Sequence, residues 1–331
     1  MSSERKIPTP VGGVPIERDF APSIVFAVAF SLLFPFIVLR FAIPSRRTII
    51  GFGTMTFAIE RIVVYAFRAT QAHNAAKRTW PGLLIYLQMS FAQGYVGIAS
   101  DAVPLLRLSL STLQTGKVDH KRTRFLTRLF IDQFGLLYIV PLALNIVQGT
   151  RYKAALDNQK IADGVFAFRY AASALALLAT FLTLVWLLLA YRRMPDMKKP
   201  AAHRLMFILT ILMIPSIYRL SVMYNTIPEL MWMGDGSLQS PAAKAQFYVL
   251  LCLPEWVAAA LVIVPNTRQD FETGPFGDWR SFDGQKSVFQ SRKANEEQRE
   301  QARREYELNQ LHWQQQQQQQ QQPPPAPQQT V

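Results

Sequence analysis

AASALALLATFLTLVWLLL, residues 171–189, carries no charged side chain and is long enough to cross the hydrocarbon of a bilayer. A core of about 30 Å takes roughly 20 apolar residues in helical form. Inside lipid every backbone N–H and C=O must be paired within the protein, which a single run of this length achieves only as a helix. Residues 21–39, APSIVFAVAFSLLFPFIVL, repeat the pattern. Outward from these two, hydropathy marks seven segments: Ala21 to Phe41, Ile49 to Phe67, Gly82 to Leu106, Phe125 to Val147, Val165 to Leu189, Leu205 to Tyr224 and Ala245 to Val264. A β-barrel would instead alternate polarity over shorter stretches. The expectation is an all-α, polytopic seven-transmembrane helical bundle, with an extracellular or lumenal segment at 1–20, the membrane domain at 21–264 and a cytoplasmic tail at 265–331.

The tail is a different kind of sequence. Asn266, Asp270, Gly274, Pro275, Gly277 and Asp278 mark a linker. Lys293 to Trp313 is rich in Glu, Gln and Arg and has the composition of a solvated helix without an apolar stripe. The run Gln314 to Gln322, followed by Pro323, Pro324 and Pro325, is low-complexity sequence with nothing to build a core, and reads as disordered.

A net charge of +13 raises the question of nucleic acid. The tail is nearly neutral, so the surplus lies beside the membrane, where anionic lipid and the topology rule account for it, and a nucleic-acid partner is excluded. With the N-terminus outside, the cytoplasmic loops hold Arg46 and Arg47, then Lys117, Lys121, Arg122 and Arg124, then Arg192, Arg193, Lys198, Lys199 and Arg204. The outer loops hold Arg68, Lys77 and Arg78, then Arg151, Lys153 and Lys160, then Lys244. This bias favours N-out and C-in, in the plasma membrane or an endomembrane. Residues 1–20 lack the basic start and short apolar core of a cleaved signal peptide, so segment one reads as a retained anchor.

Several chemistries are missing. Cys252 is the one cysteine, so no intramolecular disulfide forms. His73, His120 and His203 fall in loops and His312 in the tail, which leaves no converging metal ligands and no metal or cofactor to expect. No Gly-rich phosphate loop or Ser-x-x-Lys nucleophile is present, and segment seven has no lysine beyond Lys244 for a Schiff base. The chain is not read as an enzyme.

Ionisable side chains at membrane depth cost roughly 2.5–3.5 kcal/mol on insertion scales and ask for a reason. Glu60 and Arg61 lie near the middle of segment two, Asp101 in segment three, Asp132 in segment four, Arg219 in segment six and Glu255 near the middle of segment seven. Helical spacing places Gly53, Thr56 and Glu60 on one face, and Ser90, Gly94, Gly97 and Asp101 on another. Small polar faces suit close helix approach or a cavity. Pro35, Pro141, Pro215 and Pro254 predict kinks in segments one, four, six and seven. Similar depth groups Arg219 with Glu255 and Glu60 in one cluster. Two roles stay open for these groups: neutralising one another within the packing, or contacting a ligand. Glu60, Arg61, Asp101, Arg219 and Glu255 are the candidate substrate-binding residues.

Ser216-Ile-Tyr-Arg219, Phe247-Tyr-Val249 and the set Glu60, Tyr65 and Arg68 resemble motifs of the fungal lipid-translocating exporter family, the Rta-like seven-helix proteins. Val222 and Leu251 stand where that pattern places acids, and Glu255 follows one helical turn beyond the second. Val96 to Leu108 equally resembles uncharacterised fungal seven-span proteins. The resemblance implies export or flipping of amphiphilic lipid-like molecules, with membrane lipids as partners. The alternative is a seven-helix receptor or sensor signalling through Tyr191 to Arg204 and the tail. Rhodopsin-like receptor motifs are absent from the ends of segments three and seven.

Overall fold

The computed structural model describes residues 6–111, 120–193, 198–271, 300–301 and 303–305, without the side chains of 107–130. The Gln/Pro tail from Gln314 and the loop holding Lys117 lie outside the described residues. Of the helix expected at Lys293 to Trp313, the described positions are helical. The chain divides into units Met1–Gly277 and Asp278–Val331, and the architecture below is that of the first.

Among the described residues, seven long helical stretches account for most of it. The first is α1 (Phe20–Ser31) and α2 (Phe34–Ala42), interrupted at Leu32 and Leu33. Pro35 sits at the start of α2, where its missing N–H costs no intrahelical bond, so the expected kink becomes a break just before it. Then come α3 (Phe52–His73), α4 (Pro81–Ser111), α5 (His120–Asp157), α6 (Gln159–Arg193) and α7 (Lys199–Val222). The last is α8 (Pro241–Phe247), a wide π turn at Tyr248–Cys252 and α9 (Leu253–Ile263). The π turn ends two residues before Pro254, whose ring nitrogen cannot continue the regular ladder. Pro141 and Pro215, by contrast, lie inside uninterrupted helices.

Among the described residues five stretches are long and apolar enough to cross a bilayer: Glu17–Ala42, Ile131–Asp157, Gln159–Arg193, Lys199–Val222 and Pro241–Ile263. The other two of the seven expected segments, now α3 and α4, are helical but diluted by Glu60, Arg61, Arg68, Gln88 and Gln93. Polarity and apolarity are distributed inside out. Val25, Val28, Leu32, Ile139, Leu178, Phe207 and Ile217 are exposed on the outside, an arrangement that water would penalise and lipid accepts. The inner side of α6 is built largely from small residues, with Ala162, Ala172, Ser173, Ala176, Ala179 and Thr183 buried along one stripe. Such stripes let helix backbones approach closely in lipid. These apolar helices are those of a multi-pass membrane protein.

Helix ends and loops differ from the sequence expectation in a way that moves charges. α5 runs on to Asp157 and α6 begins at Gln159, so Arg151 and Lys153 are helical. Arg68 and Lys244, counted as outer-loop cations, lie within α3 and α8 and are buried. His203, expected in a loop, lies in α7 with its ring nitrogen 3.1 Å from the Tyr191 hydroxyl.

The amino-terminal segment packs against the helices. Residues 7–15 are all buried. Strand β1 (Ile7–Pro8) pairs antiparallel with β2 (Thr226–Ile227), with Ile7 opposite Ile227 and Pro8 opposite Thr226. Gly12 and Gly13 both take positive φ, +74° and +64°. A Cβ on Gly12 would stand 2.6 Å from the Phe247 ring, so this bend admits only glycine.

Candidate functional site

Two polar centres lie within the bundle. The first joins α3, α4 and α9. Every three to four residues along α3 a side chain turns inward, giving Met55, Ala58, Arg61, Tyr65, Arg68 and Ala72. Arg61 reaches Glu255, its Nη2 2.8 Å and its Nε 3.1 Å from the same carboxylate oxygen, Oε2, and both side chains are fully buried. The guanidinium also donates to the Ser90 hydroxyl and to the Ser90 carbonyl, and lies 4.4 Å from the Phe57 ring centre.

Gly94 makes this pairing feasible. A Cβ there would fall 2.1 Å from Arg61 Nη2, 2.5 Å from Phe57 and 2.6 Å from Glu255 Oε1. Gly94→Ala is therefore expected to destabilise the protein by about 1–3 kcal/mol, the usual range for overpacking a filled site. Gly97→Ala, with open space around the added methyl, is the matched control. Thermal unfolding of the two purified variants in detergent makes the comparison.

Glu60 belongs to the neighbouring face. Its side chain is 34% exposed, accepts a hydrogen bond of 2.9 Å from the Tyr86 hydroxyl and lies 3.7 Å from Arg61 Nη1. It lines an open cavity of about 320 Å³ with Thr56, Phe57, Ser90, Gln93, Gly94, Gly97 and Leu142. Helix α4 forms the floor, and α3 and α5 form the walls. Immediately behind Gly94 in that floor stands the Arg61–Glu255 pair.

The candidates divide accordingly. Glu60, Arg61 and Glu255 come together, with Arg61 occupying the place that similar depth assigned to Arg219. Arg219 is fully buried but faces α4, where its Nη1 donates to the Ala92 carbonyl at 2.9 Å. Among the described residues it pairs with no carboxylate, and its Nε and Nη2 have no partner. Residue depth in a helix fixes height, not direction, which explains the difference. Asp101 is apart from both: it accepts from the Thr54 backbone N–H and, at 2.7 Å, from the Thr54 hydroxyl. That pair fastens α4 to the first turn of α3.

The second centre escaped sequence reasoning. Asp19, fully buried, accepts from Arg68 Nη2 at 2.8 Å, Lys244 Nζ at 2.7 Å and the Tyr248 hydroxyl at 2.9 Å. Beside it the amino-terminal segment offers its carbonyls to the same cations. Gly12 O accepts from Arg68 and Lys244, and Val14 O from Lys244. Arg169 of α6 donates to Thr9 O at 2.7 Å, to Gln88 Oε1 at 3.1 Å and to Gln148 Oε1 at 2.9 Å. Gln88 also accepts from the Val11 N–H, and Tyr152 donates to Pro8 O. One signal for these residues was present in the sequence: Arg68 follows Arg61 by seven residues, two helical turns on one face.

Among the described residues six cations are buried, Arg40, Arg61, Arg68, Arg169, Arg219 and Lys244, against two buried carboxylates, Asp19 and Glu255. Backbone carbonyls and amide oxygens make up the difference. No family model, no curated protein and no solved structure matches the chain.

Proposed function

We propose that the chain is a seven-span membrane protein, N-terminus outside and C-terminus cytoplasmic, that binds and translocates amphiphilic lipid-like molecules. The observation that carries this reading is the open cleft between α3, α4 and α5, with one carboxylate and several neutral polar groups in an otherwise apolar wall. Such a cleft suits a molecule with a polar head and an apolar body. Glu60 and Gln93 offer hydrogen bonds to the head, while Phe57 and Leu142 flank it with apolar surface. The resemblance of Ser216–Arg219 and Phe247–Val249 to lipid-translocating exporters points the same way.

Within this reading Glu60 meets the ligand, and the Arg61–Glu255 pair holds the floor of the cleft. Reconstitution into liposomes with fluorescent sphingoid and phospholipid probes tests it. Glu60→Gln is expected to slow transfer of the accepted probe about tenfold, matching the loss of one charge-assisted hydrogen bond of about 1.5 kcal/mol. Its melting temperature should stay close to that of the parent, because Glu60 is partly exposed and stands outside the closest ion pair. Failure to transfer any probe, or equal transfer by Glu60→Gln, would set the reading aside.

A further inference from the structure

The segment at residues 7–14 fills a vestibule whose walls are cationic. Arg68, Lys244 and Arg169 all donate to its carbonyls, and among the described residues Asp19 is the carboxylate that touches Arg68 and Lys244 but not Arg169. Among the described residues Arg169 has only neutral acceptors: Thr9 O, Gln88 and Gln148. Ile7, Val11 and Val14 are buried apolar contacts of the segment, and Thr9, Gly12, Gly13 and two prolines, Pro8 and Pro10, make up the rest of it. Polar contacts to its backbone carbonyls share the hold with the Ile7, Val11 and Val14 side chains, and an oxyanion can replace those acceptors one for one.

We infer that this vestibule is an oxyanion-binding site, centred on Arg169 and closed by the chain's own amino-terminal segment, so that a phosphate group and residues 7–14 compete for it. A planar guanidinium fork suits phosphate oxygens better than isolated carbonyls, and charge opposite charge is the stronger contact. Withdrawal of the segment strips Arg169, Arg68 and Lys244 of four carbonyl contacts at once. Only an anion can then restore both the hydrogen bonds and the charge balance in a low-dielectric interior.

The site is also wired inward. Gln148 accepts from Arg169 and donates to Asn145 Oδ1 at 3.4 Å; Asn145 donates to Ala92 O at 2.8 Å, the same carbonyl that Arg219 holds. Arg219 keeps two nitrogens, Nε and Nη2, without hydrogen-bond partners at the end of this chain. Exchange of Thr9 O for an anion at Arg169 therefore bears on α4 and α7 through contiguous hydrogen bonds. None of these residues lines the Glu60 cleft, so the vestibule binds an anion whether or not the cleft takes an amphiphile.

Thr9→Cys reports the exchange, because position 9 is buried while the segment is seated and the native Cys252 is fully buried. Purified full-length protein is titrated with inorganic phosphate, or with dihexanoyl phosphatidic acid, at constant ionic strength in sodium chloride, and maleimide labelling is timed. A saturable acceleration of at least fivefold is expected. Acceleration by both probes identifies phosphate itself as the ligand, and by the lipid alone a lipid headgroup. No acceleration by either overturns the inference, as does an equal acceleration in the Arg169→Gln background. Where Arg169→Gln fails to fold, the cross-strand pair Ile7→Cys with Ile227→Cys substitutes for it. Phosphate should raise the melting temperature of the reduced form and not of the oxidised, locked form; a shift in both, or in neither, overturns it.

Discussion

Glu255→Ala is expected to cost about 3–5 kcal/mol of stability, the usual penalty for leaving one member of a buried ion pair without its partner. Arg61 and Glu255 are both fully excluded from the surroundings and share a contact of 2.8 Å. With the carboxylate gone, the guanidinium keeps Ser90 and the distant edge of Glu60, at 3.7 Å. Neither replaces a full negative charge in the interior. The expected observation is a large fall in melting temperature in detergent, or loss of a monodisperse species. The double variant Arg61→Met with Glu255→Met should recover most of that loss, because removing both charges also removes their desolvation penalty. If the single variant melts like the parent, the pair does not hold α3 to α9. If the double variant is as unstable as the single one, packing around Gly94, not charge, fixes this junction.

The helical course of the chain was legible because it follows from hydropathy alone. Residues 171–189 admit one structure in lipid, and α6 is the result. Candidate residues were legible as a class, since any charge at membrane depth stands out against its neighbours. Their partners were not. Arg61 and Arg219 lie at comparable depths, yet one faces Glu255 and the other the Ala92 carbonyl. Which way each helix turns depends on how all of them pack, and Gly94, the residue that admits Arg61 to Glu255, looks in sequence like any small interface residue.

Arg169, a charge inside the segment Val165 to Leu189, was legible by the same rule and was passed over, whereas Asp19 was illegible for another reason. Composition assigns residues 1–20 to the exterior, because a short run rich in proline and polar groups has no helical signal of its own. Its burial depends on donors supplied from distant helices at Arg68, Arg169 and Lys244. A backbone that finds its hydrogen bonds in side chains leaves no periodic trace.

Asp19→Asn tests that arrangement most severely. The aspartate places one oxygen against Arg68 and Tyr248 and the other against Lys244. An amide of the same shape brings its NH2 against one of those donors and leaves two buried cations with no carboxylate, so a loss of about 3–5 kcal/mol is expected. Glu17→Gln is the control: Glu17 is 89% exposed and 3.7 Å from Arg78, a surface pair whose removal should be undetectable. The loss should also be local in kind. Asp19 anchors the cations that hold Gly12 and Val14, so Asp19→Asn combined with Thr9→Cys should label faster than Thr9→Cys alone at temperatures well below melting. Faster labelling with a reduced melting temperature places the segment's anchorage at Asp19. A reduced melting temperature with unchanged labelling would mean that Arg169 and the β1–β2 pairing seat the segment by themselves, and that Asp19 serves only to join α1, α3 and α8.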